Sequence, residues 1–310
     1  MDEFELIRKL TRSLPTNDTV ATGVGDDCAV LDLGVPDRQF LFKTDAVVEG
    51  IHFLPDTAPE KIGHKALARA LSDIAAMAGT PIAALVTLGL PKKFDPERVA
   101  AIYQGMKPVA DKFGVAIVGG ETTTNPERVF LSIALLGWVP RGKAVLRSGA
   151  KAGDAIFVSG DLGGSLSGRH LEVEPRIAEA HWLARHFHVH AMIDLSDGLA
   201  GDLRHVLQHS GVGAELLATS IPVSRAARQA AKASTSAKPP LLAALTDGED
   251  FELLFTLPSR SAVPLLDGWK EQFPKVKLTC IGKVVAGEGI TIRDQQGVRK
   301  LSAHGYVHFA

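Results

Sequence analysis

Cysteine is nearly missing from this sequence: of 310 residues only Cys28 and Cys280 carry a thiol, and they form neither a C-x-x-C pair nor a recurring spacing. That argues against a disulfide framework or a thiolate zinc site and fits a reducing compartment. An excess of positive charge is missing too, since 34 Lys and Arg face 35 Asp and Glu for a net charge of -1, with no extended basic run. Nucleic acid and anionic membrane surfaces are therefore excluded as main partners, because both are held by concentrated cationic charge. No apolar run is long: the most apolar one, around Ile82 to Leu90, falls far short of the roughly 20 residues that cross a bilayer. The opening MDEFELIRKLTRSLP mixes acids and bases among apolar side chains, without the continuous apolar stretch of a secretory signal. The expectation is a cytoplasmic protein.

Two common phosphate-binding signatures are also lacking. No G-x-x-x-x-G-K-S/T occurs, and the nearest stretch, Gly164 to Arg169, has the wrong spacing and no P-loop lysine. Gly23-Val24-Gly25 begins like a dinucleotide fingerprint, but it leads into a strand and carries Asp26 and Asp27 where a pyrophosphate needs close backbone approach. Neither a P-loop enzyme nor a Rossmann dehydrogenase is supported.

What is present is an ordinary globular composition, 45% hydrophobic, in a length that suggests two domains of roughly 150 residues each. Apolar β-branched runs alternate with amphipathic stretches, the pattern of an α/β or mixed α+β chain. In the first half, strands are expected at 28–33, 39–44, 82–88, 115–118 and 129–139. A helix is expected over 61–78, with Ile62, Ala66, Leu67, Ala70, Leu71, Ile74 and Ala75 on one stripe and Gly79 as a left-handed stop. Asp95-Pro96 reads as the N-cap and first turn of a second helix, which Gly114 ends. The Gly- and cation-rich segment 140–154 interrupts the periodicity and divides the chain into domains 1–139 and 140–310. Beyond it, strands are expected at 155–159, 191–194, 215–218, 252–257 and 276–283, and helices at 175–186, 199–209, 224–232 and 260–273. The stretch ASTSAKPP, 233–240, reads as a loop.

Carboxylates recur beside glycine or at the ends of apolar strands: Asp26-Asp27, Thr44-Asp45, Gly120-Glu121, Asp194 to Gly198 and Gly248-Glu249-Asp250. Any one of them is ordinary turn chemistry. Five in one chain point to hard oxygen ligands for Mg²⁺, which bridges a few carboxylates to substrate phosphates. In Asp194-Leu195-Ser196-Asp197-Gly198, Ser196 or Asp197 could simply cap the following helix, whereas Asp194 at the strand end is not needed for that. Asp73, late in its helix, could pair with Arg69 at i,i-4 or ligate a metal. His52 could meet a phosphate or be structural. His181, His186, His188 and His190 could ligate zinc, but a solvated helix end and strand approach is the simpler reading.

Taken in order, GVGDDCAVLD, KTDAVVEGIHF, ALSDIAAMAGTPIAALVTLGLP, VGGETT, RSGAKAGDAIFVSG, MIDLSDGLAGDL, DGEDFELLFT and the terminal HGYVHF resemble the thiamine-monophosphate kinase family, within the aminoimidazole ribonucleotide synthetase-like superfamily. The resemblance runs nearly end to end. It implies a two-domain fold with an N-terminal domain that binds ATP and Mg²⁺ and dimerises, a C-terminal α/β domain, a homodimer, and ATP-dependent phosphorylation of thiamine monophosphate to thiamine diphosphate with several Mg²⁺ ions. Carried over by motif, the metal ligands are Asp27, Thr44, Asp45, Asp73, Glu121, Asp194 and Asp197, of which Asp45, Asp194 and Asp197 are the most critical. ATP would meet Gly120, Glu121, Arg147, Ser196 and Tyr103; thiamine monophosphate would meet His52, Glu249 and Tyr306. Two positions depart from the family pattern: Glu121 stands where Asp is usual, and Lys43 where Ser is frequent. The alternatives are another ATP-dependent superfamily enzyme, such as aminoimidazole ribonucleotide synthetase, or a non-catalytic nucleotide or thiamine-phosphate sensor.

Overall fold

The computed structural model describes residues 3–234, 236–303 and 305–306. His304 and residues 307–309 of the terminal HGYVHF motif lie outside them. The chain divides into two compact units that are not two continuous halves. Helix α1 (Glu3–Thr11) and the chain through Asn17 group with the C-terminal unit, whereas the segment Gly168–Ile177 groups with the N-terminal unit, Asp18–Ala144.

The N-terminal unit is a six-stranded sheet with two long helices. Its strands are β1 (Val20–Thr22), β2 (Ala29–Leu31), β3 (Arg38–Val48), β4 (Thr80–Leu90), β5 (Ala116–Thr124) and β6 (Phe130–Pro140), in the order β1-β2-β3-β6-β4-β5. β3 pairs with β6 without interruption from Arg38 opposite Pro140 to Val48 opposite Phe130. Strand alternation then puts Leu131, Ile133 and Leu135 on the buried face, with Lys43 and Asp45 opposite two of them. Two strands are longer than their apolar runs. β3 continues past Lys43 to Val48, and β5 continues through Gly119, Gly120 and Glu121 to Thr124, so Asp45 and Glu121 sit inside strands rather than at their ends. Ladder pairing with β6 and β4 overrides the polar interruption.

Helix α2 (Pro59–Ala76) buries all seven stripe residues. Its stop differs from the expected one. Ala78, at φ 56°, is the left-handed residue. The Ala78 amide donates to Ala75 O at 2.9 Å and the Gly79 amide to Ile74 O at 2.8 Å, the paired bonds of a Schellman end. Gly79 is needed for space, since a Cβ there would lie 2.3 Å from Leu41 Cδ1. Helix α3 (Pro96–Phe113) starts and ends as its residues dictate: Asp95 accepts from the Glu97 amide, and Gly114 closes it at φ 67°.

The C-terminal unit holds a seven-stranded sheet in the order β13-β12-β9-β11-β7-β10-β8. The strands are β7 (Asp154–Ser159), β8 (Ala191–Asp194), β9 (Gly213–Leu217), β10 (Leu253–Pro258), β11 (Leu278–Val285), β12 (Gly289–Asp294) and β13 (Gly297–Lys300). The helices are α4 (Ile177–His186), α5 (Leu199–Ser210), α6 (Arg225–Ala233), α7 (Pro240–Thr246) and α8 (Ala262–Gln272). β7 is buried along its whole length and β10 up to its last residue, so both read as continuous apolar runs. Ile156, Ile193, Leu203, Leu216, Leu254 and Ile281 are among the side chains of one core. Among the named strands of the described residues, only β4 with β5 and β9 with β12 pair in parallel, which makes the fold a mixed α/β architecture of largely antiparallel sheets.

Candidate active site

Each unit gathers its own set of carboxylates. In the N-terminal unit, β3 alternation sends Lys43 and Asp45 toward α2, where Arg69 and Asp73 lie one helical turn apart. Asp73 Oδ1 accepts from Lys43 Nζ at 2.9 Å. Asp45 accepts from Arg69, with Nε at 3.1 Å from Oδ2 and Nη2 at 3.3 Å from Oδ1, and its Oδ1 also takes the Ala46 amide at 2.8 Å. Burial pulls the Lys43 pKa down, but the charges of Asp73 and Asp45 outweigh it and the net direction is up. Asp27, just before β2, is 2% exposed and Asp73 7%, and the two place carboxylate oxygens within 4.8 Å of each other. Like charges that close repel by roughly 3 kcal/mol at an effective dielectric near 20, which a cation relieves. Buried, hard and close, this donor set suits a divalent ion.

The other expected residues of this unit are spread around the same sheet. Thr44 points to the opposite face, where its hydroxyl lies 3.1 Å from Ser132 Oγ. Gly120 and Glu121 belong to the edge strand β5. At Gly120, φ is 152° and a Cβ would lie 1.8 Å from Val86 O, so only glycine lets β5 approach β4 there. Glu121 is exposed and bends back to accept from the Thr122 amide at 3.1 Å. Tyr103 is half-buried on α3, and burial raises its phenol pKa. His52 follows β3 in a turn closed by its own amide to Val48 O at 2.9 Å, and its Nδ1 accepts from the Val48 amide at 3.1 Å.

Sequence reasoning missed what holds that turn. Lys65, wholly buried on α2, donates to the His52 carbonyl at 2.5 Å and to His170 Nδ1 at 2.7 Å. An ammonium only donates, so Nδ1 of His170 is the acceptor. Lys65 follows Ile62 by one turn, next to the apolar stripe, and that adjacency was the available signal.

In the C-terminal unit, β8 ends at Asp194, and the chain turns through Ser196, Asp197 and Gly198 into α5. Neither Ser196 nor Asp197 caps α5. Gly198 occupies the cap position, and its carbonyl takes the amides of Gly201 and Asp202. The first-turn acid Asp202 instead accepts from the Asp197 amide at 3.1 Å. Burial first, then the charges of Asp197 and Asp194, push the Asp202 carboxyl well above its ordinary range, against the pull of Arg147. Arg147, Asp194, Asp197 and Asp202 thus share one electrostatic environment.

Main-chain bonds join the remaining residues to that turn. The Glu249 amide donates to Ser196 O at 2.7 Å, the Phe251 amide to Leu195 O at 2.8 Å, and the Tyr306 amide to Asp197 O at 2.8 Å. Glu249 and Phe251 are left-handed, with φ of 53° and 51°, a costly conformation for side chains with a Cβ. Two buried acids anchor this loop: Asp250 accepts from the Gly163 amide, and Glu252 from Ser159 Oγ at 2.6 Å. His190 is half-buried, its side chain 8% exposed, with Nδ1 2.8 Å from Asp154 Oδ2, and His186 Nδ1 lies 2.8 Å from Trp182 O. Among the described residues no three of His181, His186, His188 and His190 converge.

The N-terminal domain of the AIR synthase related protein family matches residues 25–139, and its C-terminal domain matches 151–295. The chain is 41% identical to the thiamine-monophosphate kinase of Rhodopirellula baltica, over 97% of its own length and 95% of that protein's. It is 36% identical to the Escherichia coli protein of the same name, over 99% and 98%. It superposes on the solved structure of AaThiL complexed with AMPPCP and TMP with a TM-score of 0.82 at 32% identity, covering 99% of this chain and 97% of that one.

Proposed function

The chain belongs to the thiamine-monophosphate kinase family, and on that premise we propose that its ATP-dependent phosphorylation of thiamine monophosphate to thiamine diphosphate proceeds by direct in-line transfer with magnesium ions. The observation that carries this reading is the close approach of the buried carboxylates Asp27 and Asp73. Magnesium, when bound, supplies the positive charge that lets two polyanions meet and steadies the equatorial oxygens of a loose transition state. We assign its ligands as Asp27, Thr44, Asp45, Asp73, Glu121, Asp194 and Asp197.

The acceptor phosphate has a second pKa of about 6, so it is largely ionised at neutral pH and needs no general base. The side chains therefore position and screen rather than move a proton. The Gly120-Glu121 backbone, Arg147, Ser196 and Tyr103 are assigned to ATP, and His52, Glu249 and Tyr306 to thiamine monophosphate. The relative bound to an ATP analogue and TMP supports this pair of ligands.

A homodimer and a cytoplasmic location belong to the same proposal. The sheet face turned away from α2 leaves Phe42 at 50% and Leu85 at 46% exposure, an apolar surface that a second copy would cover. We place dimerisation in domain 1–139 and give domain 140–310 the remainder of the substrate contacts. Cys28 and Cys280 are free thiols, and among the described residues no helix is long and apolar enough to cross a membrane.

The test is turnover. Purified protein with ATP, thiamine monophosphate and graded MgCl₂ should form ADP and thiamine diphosphate in equal amounts. Binding of both substrates without product would overturn the reading in favour of a sensor, and turnover in EDTA would overturn the metal assignment.

A further inference from the structure

Two cations beside the N-terminal carboxylate group belong to the protein itself. Lys43 and Asp45, two residues apart on β3, face α2 together, and Lys43 Nζ lies 2.9 Å from Asp73 Oδ1 with the lysine side chain 24% and the aspartate side chain 10% exposed. Arg69 takes both oxygens of Asp45. Three carboxylates, Asp27, Asp45 and Asp73, are thus set against two fixed cations.

We propose that the Lys43 ammonium is a built-in counter-ion that occupies one oxygen of Asp73 and weakens divalent-cation binding by Asp27, Asp45 and Asp73 in the nucleotide-free protein, so that these carboxylates fill only when ATP brings its metal. The inference rests on the reading above that these residues are magnesium ligands.

The physical reason is competition and repulsion. A carboxylate oxygen held by an ammonium is not offered in full to Mg²⁺, which demands near-ideal geometry and gives up its water reluctantly. The same ammonium repels any divalent ion placed beside it, and a partly buried charge is screened less than one on the surface. ATP changes the balance, because its phosphates add negative charge to the same place and offer Lys43 another partner. Lysine suits this role as a point charge on a flexible stem.

The experiment uses the full chain without nucleotide and counts bound Mn²⁺ by electron paramagnetic resonance, with thermal melting in EDTA and in MgCl₂ as a second readout. Lys43→Met should bind Mn²⁺ about tenfold more tightly, the scale on which one partly screened charge acts. Its melting temperature should also rise more on adding MgCl₂ than the wild type's, because metal binding to the folded state alone stabilises it. Lys43→Arg should behave as wild type. If Lys43→Met folds only when MgCl₂ is present, that dependence supports the counter-ion role. A folded Lys43→Met with wild-type Mn²⁺ affinity, or one that no metal rescues, overturns it. Asp73→Asn separates the two levels: unchanged Mn²⁺ binding there removes the ligand reading and this inference with it, whereas weakened binding there beside an unchanged Lys43→Met removes only the role of Lys43.

Discussion

Lys65 Nζ donates to the carbonyl oxygen of His52 at 2.5 Å, so a helix that faces the core holds the turn on which a substrate contact is proposed. Replacing Lys65 by Met leaves that carbonyl and His170 Nδ1 without a charged donor, at a cost of about 3 kcal/mol. Urea denaturation measures that loss. If Lys65 acts by placing His52, KM for thiamine monophosphate should rise more than kcat falls, and an equal fall in kcat with KM unchanged would count against that role.

Asp194→Asn and Asp45→Asn keep side-chain shape and an acceptor oxygen but remove the charge. Each should lower turnover by about a hundredfold or more while leaving far-UV circular dichroism unchanged. Near-normal ADP formation by both variants would exclude them from the metal set.

Gly120→Ala should be much worse than Gly119→Ala. Its Cβ would lie 1.8 Å from Val86 O, whereas the nearest heavy atom to a Cβ at Gly119 is 3.8 Å away. The clash pushes β5 off β4, at about 1–3 kcal/mol, and moves the Glu121 backbone. Hydrogen exchange along β5, compared between the two variants, reads the difference, together with KM for ATP.

Glu249→Gly sets stability against function. At φ 53° a glycine relieves the left-handed strain, worth about 1 kcal/mol. The variant's melting temperature should therefore hold or rise while kcat/KM for thiamine monophosphate falls. A fall in both would show that the glutamate side chain stabilises the loop.

Much of this was legible in the residues. Asp95 and Gly114 bound α3 correctly, because a cap is a hydrogen bond between residues a few positions apart. The β7, β8 and β10 runs were readable because strands buried on both faces are apolar throughout. The motifs also named carboxylates that the structure brings close, Asp27 and Asp73, and two, Asp194 and Asp197, whose charges both act on Asp202. Where several local solutions competed, the residues misled. Gly79 looked like the left-handed stop that Ala78 provides, and Ser196 and Asp197 looked like caps for a helix that Gly198 begins.

The sequence by itself determined the residue types, their order and therefore the family, because oxygen ligands, glycines and caps are chemical identities that need no partner to be recognised. Only the tertiary structure decided which charges meet. Lys43 and Asp73 are 30 positions apart and Lys65 and His170 are 105 apart, yet each pair is within hydrogen-bond reach. Such pairings depend on strand register and helix packing, which sum many weak contacts along the chain and leave no mark on either residue alone.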